Sequence, residues 1–208
     1  MAEHALPLAE AYELITDGDR RPLLVLRECE LCKGTDHALL SRSMDNEQTV
    51  LLTHWFRCVK LPPNVMDGKH PFHNLFDPSE SDQGVPHLFL ADSDGSGKIA
   101  LSGQQSQAEL WDAMYSVLER NYARDAKKSI KDLRALLSQF DSIDALDREI
   151  RARMDKEIDK RGPDSRRLKK MQDQLAELEK RRRDLRAREK ELRDLTLLSP
   201  ASDAKAGG

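Results

Sequence analysis

Pro22-Leu23-Leu24-Val25-Leu26-Arg27-Glu28-Cys29-Glu30-Leu31-Cys32 decides how the first part of this chain folds. The unbroken apolar run from Leu23 to Leu26 suits a strand covered on both faces of a sheet. Cys29 follows three residues later, and Cys32 opens a segment with Ala38, Leu39 and Leu40 that reads as helix despite Gly34. A strand, a Cys-x-x-Cys pair and a helix in that order have a chemical use. Backbone N–H groups and the positive end of the helix dipole favour a thiolate on the first cysteine. The intervening Glu30 and Leu31 let the thiols meet across one helical turn. Cys29 then reads as the attacking thiol and Cys32 as the thiol that resolves the mixed disulfide.

Upstream, Leu8, Ala11, Tyr12 and Ile15 are spaced as on one face of a helix, which Asp17-Gly18-Asp19 stops. Downstream, Asp45 is placed to cap a short helix through Leu52, and Trp55 to Leu61 reads as a second strand closed by Pro62-Pro63. Asn64 to Gly84 is longer than an ordinary loop, and such loops carry function or hide a short helix. Val85-Pro86 then enters a third strand, through Ala91. Asp94-Gly95-Ser96-Gly97 supplies a hairpin turn, Lys98 to Leu101 returns, and Leu110, Met114, Val117 and Leu118 mark a closing helix.

This order of elements resembles the thioredoxin superfamily over roughly residues 6–120. The residues that carry the resemblance are Leu23 to Leu26, Cys29 and Cys32, Trp55 to Leu61, Val85-Pro86, Asp94-Gly95 and Leu110 to Leu118. It implies an α/β fold with a thioredoxin-like mixed sheet and flanking helices. It also implies a thiol-disulfide oxidoreductase acting on a protein disulfide or thiol. Pro86 would be a cis proline beside the cysteines that positions substrate backbone, with Val85, Glu30 and Leu31 against the substrate. The chain departs from thioredoxin itself in three ways. Glu28 stands in place of tryptophan, Glu30-Leu31 in place of Gly-Pro, and Leu23 in place of a buried acid. Glu28 and Glu30 work against a low thiol pKa. A specialised or slow oxidoreductase stays open beside a non-catalytic adaptor or redox-sensing module.

The other candidate groups read more plainly. Cys58, inside the second strand, reads as a buried free cysteine of the core. His54, His70, His73 and His87 match no standard metal spacing and read as surface or loop histidines. Asp92 to Lys98 begins like a calcium loop, but Gly103 stands where the twelfth-position glutamate is needed, so a hairpin turn is the reading. Two thiolates are half of a tetrahedral zinc site. No metal and no cofactor is expected.

Composition separates this head from the rest of the chain. The chain has 208 residues, enough for one ordinary domain and an appendage. Nine of the ten aromatic residues lie at or before Tyr122, so the large core-filling side chains end there. Residues 1–122 carry 10 Lys and Arg against 19 Asp and Glu, whereas residues 123–198 carry 23 against 17. An acidic head and a basic arm leave open an acidic partner for the arm or pairing of arm with head. No stretch of about 18 apolar residues is present and the first residues are acidic, so a cytoplasmic protein without membrane association is expected.

From Ile130 the pattern is helical, with Gly162-Pro163-Asp164 as its break. Reflection about that break sets Ile130 against Leu195, Leu133 against Leu192, Phe140 against Leu185, Ile150 against Leu175, Met154 against Met171 and Ile158 against Leu168. The pattern predicts a long antiparallel α-helical hairpin over residues 123–198, a coiled coil, followed by a disordered tail over 199–208. Leu168, Met171, Leu175, Leu178, Arg182 and Leu185 keep coiled-coil spacing, whereas Leu146, Ile150, Met154 and Ile158 advance by fours and shift the first helix's stripe. Arg182 on the seam needs a partner, either Asp144 or a second protomer. Leu136, Leu146, Leu178 and Leu197 are left for a further contact, in a homodimer or with a partner helix. Lys180 to Arg183 is a basic run, but acids are interleaved through the rest of the arm and no aromatic stacking group lies beyond Phe140, so nucleic acid is not the expected partner.

Overall fold

Four strands and five α-helices, among the described residues, account for the chain in its computed structural model, which describes residues 4–28, 39–40, 45–80 and 84–198. Helix α1 (Leu8–Thr16) buries Ala11, Tyr12 and Ile15, and ends where Asp17 takes a left-handed backbone before Gly18. Strand β1 (Leu23–Arg27) comes next. Leu23, Leu24, Val25 and Leu26 are all buried, as a strand with both faces covered requires. Helix α2 (Glu47–Thr53) begins shortly after its Asp45 signal, whose carboxylate accepts from the Glu47 N–H at 2.9 Å.

Strand β2 (Arg57–Leu61) is shorter than its sequence pattern because Trp55 and Phe56 are spent in the preceding turn, where both are buried. The long connection contains three short 3-10 turns, at Pro63–Met66, His73–Leu75 and Pro78–Glu80. Strands β3 (Leu88–Ala91) and β4 (Ile99–Leu101) form the expected hairpin. Gly95 sits in its turn at φ +88°, and a Cβ there would lie 2.3 Å from the Tyr12 ring, so the position excludes a side chain. Helix α3 (Gln107–Asn121) starts at a reciprocal cap: Ser106 Oγ accepts from the Glu109 N–H and the Glu109 carboxylate accepts from the Ser106 N–H.

The sheet order is β2-β1-β3-β4, with β1 parallel to β2 and antiparallel to β3. Alternation along β1 and β3 divides the core in two. Leu23, Val25, Phe89 and Ala91 pack with Ala11, Tyr12 and Ile15 of α1 and with Val65, Leu75 and Phe76 of the long connection. Leu24, Leu26, Leu88 and Leu90 are buried on the other face, where α3 contacts β3. There α3 is tied to α2 through Trp111 Nε1–H donating to Thr49 Oγ1 at 2.9 Å.

Two compact units result. One is built from the described residues up to Ala126 and from 196–198, the other from Lys127–Leu195. The boundary differs from the expected 122/123 because the chain comes back to the first unit: the Ala123 N–H donates to Thr196 O, the Leu198 N–H to Asn121 O, and Tyr122 bridges Leu197. Residues 196–198 therefore belong to the head's unit and not to the hairpin.

The second unit is a pair of helices, α4 (Ala126–Arg161) and α5 (Arg166–Arg193), joined by a turn at Gly162 to Ser165. At 36 and 28 residues they span about 54 and about 42 Å. Ile143, Ile150 and Leu178 form their buried cluster, with Met154, Met171, Leu175 and Leu185 packed against it. The stripe of α4 does not shift by fours. Leu146 and Ile158 are each 41% exposed, and the inward positions are Asp147 and Glu157. Both acids are paired there: Asp147 with Arg151 and Arg182, Glu157 with Arg161 and the Ser165 hydroxyl. Leu136 and Leu178, expected to be left uncovered, are buried. No helix among the described residues is long and apolar enough to cross a membrane.

Candidate functional site

Cys29, Glu30, Leu31 and Cys32 lie outside the described residues, as does most of the helix expected after them. The frame from which they extend is described. Arg27 ends the central strand, and the Glu28 N–H donates to Leu61 O at 2.8 Å, so the chain is held in the sheet up to the residue before Cys29. This is the carboxyl end of both parallel strands, the edge at which α/β sheets gather ligands.

Glu28 Oε1 lies 2.5 Å from Lys60 Nζ, across the parallel pair. The pairing offsets the Glu28 charge that would otherwise oppose a thiolate at the next position. Arg27 anchors the strand on its other side. Its backbone N–H donates to His87 O at 2.9 Å, and its side-chain Nε–H donates to Pro86 O at 3.1 Å. Partial burial of this guanidinium lowers its pKa below the ordinary arginine value, and Arg27 makes no ion pair among the described residues. Val85 and Pro86 are thus brought to the strand end that precedes the cysteines.

Two features of this segment differ from the expectation. No peptide bond among the described residues is cis, so Val85–Pro86 is trans. Pro86 is also buried, and its carbonyl is already engaged by Arg27. Val85 is half-buried, and neither its N–H nor its C=O takes part in a hydrogen bond among the described residues. His87, expected at the surface, is 6% exposed. Its side chain packs against Gly103, where φ is +94° and a Cβ would come within 2.8 Å of the His87 Cβ.

Cys58 is not a core residue. Strand β2 is an edge strand and Cys58 is on its exposed side. The sulfur is held against the backbone, 3.6 Å from Thr53 O, and desolvation there raises the thiol pKa while Arg21 opposes it. That makes it a poor nucleophile at neutral pH. His70 accepts from the Phe72 N–H, and burial pushes its imidazole below the ordinary range. Among the described residues no group of three or more His, Cys, Asp or Glu could hold a metal.

No family model, curated protein or solved structure matches the chain. Arg27 and Lys60 escape a reading of the sequence because their roles depend on register: Lys60 pairs with Leu26 across the ladder, which sets it beside Glu28. A charge in each of two adjacent strand ends is the only signal the sequence carries for them.

Proposed function

We propose that the chain is a thioredoxin-like thiol-disulfide oxidoreductase of the cytoplasm, acting through Cys29 and Cys32, with the helical hairpin as a coiled-coil arm for oligomerisation or partner docking. One observation supports the reading: Arg27, two residues before Cys29 in the sequence, ends an inner strand of a mixed sheet and ties Pro86 to that strand end. In the first step the Cys29 thiolate attacks one sulfur of a substrate disulfide, forming a mixed disulfide and expelling the other sulfur as thiolate. The Cys32 thiolate then attacks Cys29 Sγ, closing the Cys29–Cys32 disulfide and releasing the second substrate thiol. The substrate gains the electron pair that the protein loses, and a dithiol reductant restores Cys29 and Cys32. The peptide groups of Val85, which make no hydrogen bond among the described residues, suit an extended substrate segment alongside, in the manner of an added strand.

The trans Val85–Pro86 bond and the burial of Pro86 favour a second reading, a non-catalytic adaptor or redox-sensing head. Trapping separates the two. Replacing Cys32 by serine leaves the attacking thiol without its resolving partner, so the full chain is expected to accumulate mixed disulfides through Cys29. If Cys29→Ser accumulates the same adducts equally, the assignment of attacking and resolving thiol fails; if neither variant accumulates adducts, the oxidoreductase reading fails and the adaptor reading stands.

A further inference from the structure

Arg27 is unlike the other cations near this strand end. Lys60 is matched by Glu28 at 2.5 Å, whereas Arg27 is half-buried, gives one donor to Pro86 O and forms no ion pair among the described residues. Its terminal nitrogens make no hydrogen bond there either. A guanidinium fork taken partly out of water and held by one edge is preorganised for a planar oxyanion, because little side-chain freedom remains to be lost on binding. The surroundings make the feature selective. Residues 1–122 carry nearly twice as many acids as bases, so a carboxylate ligand is disfavoured over most of this surface. Arg27 is also bonded to Pro86, next to Val85, whose backbone makes no hydrogen bond among the described residues.

We propose that Arg27 is a specificity-determining residue that receives a carboxylate, from an Asp or Glu side chain close to the reacting cysteine of the polypeptide substrate. Nε stays on Pro86 O, so the same side chain fixes the Val85-Pro86 segment and presents the terminal nitrogens to the carboxylate. The proposal rests on the thiol-exchange reading above and adds the chemistry of the substrate to it.

The test uses the full chain and two short disulfide-bonded peptides that differ by one residue, Glu or Gln, beside the cystine. The acidic peptide is expected to be exchanged with a kcat/KM about tenfold higher, the difference lying in KM. Arg27→Gln removes the preference, and Arg27→Lys, which keeps charge without the fork, retains only part of it. Equal rates for the two peptides with the wild-type chain overturn the proposal and leave the exchange reading intact, with no variant needed. A preference that survives in a folded Arg27→Gln chain overturns it as well. Exchange with neither peptide sinks both readings together.

Discussion

Arg182 of α5 reaches back across the hairpin to Asp144 of α4, Nη2 to Oδ1 at 2.6 Å, with Asp147 at 3.7 Å and Glu179 of its own helix at 2.7 Å. A cation on an inward-facing position is tolerated because acids from both helices meet it, and a helix slipped by one turn would lose the cross-helix partners. Charge reversal at Arg182→Asp is therefore expected to lower the thermal midpoint of the hairpin. The double variant Arg182→Asp with Asp144→Arg should recover part of it. Circular dichroism melts of the full chain in low and high salt check this, since screening weakens the coupling of an exposed carboxylate such as Asp144.

The apolar part of the same seam sets a larger effect. Ile150 is 4% exposed and packs in the cluster with Leu178. Ile150→Ala should cost about 2–4 kcal/mol in the hairpin's unfolding. Ile150→Asp with Leu175→Asp should melt the hairpin while near-ultraviolet signals from Trp55 and Trp111 in the first unit remain.

Glu157 gives the hairpin a pH dependence. Its carboxyl is held below the ordinary value of 4.5, first by the Ser165 hydroxyl at 2.6 Å, against desolvation, and also by Arg161 and Arg167. A lowered folded-state pKa means that the stabilisation is present above about pH 4.5 and is lost as pH falls through the folded value. Helicity of the hairpin should thus weaken as the pH falls below about 4.5, and Glu157→Gln should flatten this part of the profile.

How much of the fold is legible in the sequence depends on whether the deciding partner is near in the chain. The Leu23–Leu26 run, the Asp94–Gly97 turn and the break at Gly162 each read correctly because local periodicity and turn chemistry suffice. The inward positions of α4 mislead because Leu146 and Ile158 look more like core than Asp147 and Glu157. What overrides hydrophobicity there is Arg182 and Ser165, supplied from beyond the turn. Cys58 reads as core because a strand's sequence does not say that it is an edge, and His87 reads as surface because only the fold brings Gly103 to leave the space it fills. The cysteine pair is legible as a motif. Arg27 and Lys60 are not, since only the ladder brings Lys60 to Glu28 and Pro86 to Arg27.

Tyr122, just past the end of α3, is held within the first unit. Its hydroxyl donates to Trp55 O at 2.7 Å, and burial pushes the phenol up to about 12. A raised folded-state value means that this stabilisation is complete below about pH 10 and is lost as pH rises toward 12. Tyr122→Phe should cost about 1 kcal/mol at neutral pH through the lost hydrogen bond. It should also reduce the alkaline loss of stability between about pH 10 and 12, read by denaturant titration at each pH.

The cysteine pair is tested most directly by counting free thiols in the full chain across a series of defined redox potentials, by labelling and mass spectrometry. Cys29 and Cys32 should be lost together as one intramolecular disulfide at a single midpoint, while Cys58, with its raised thiol pKa, keeps its label throughout. Labelling of all three cysteines that stays unchanged across the series would contradict the account.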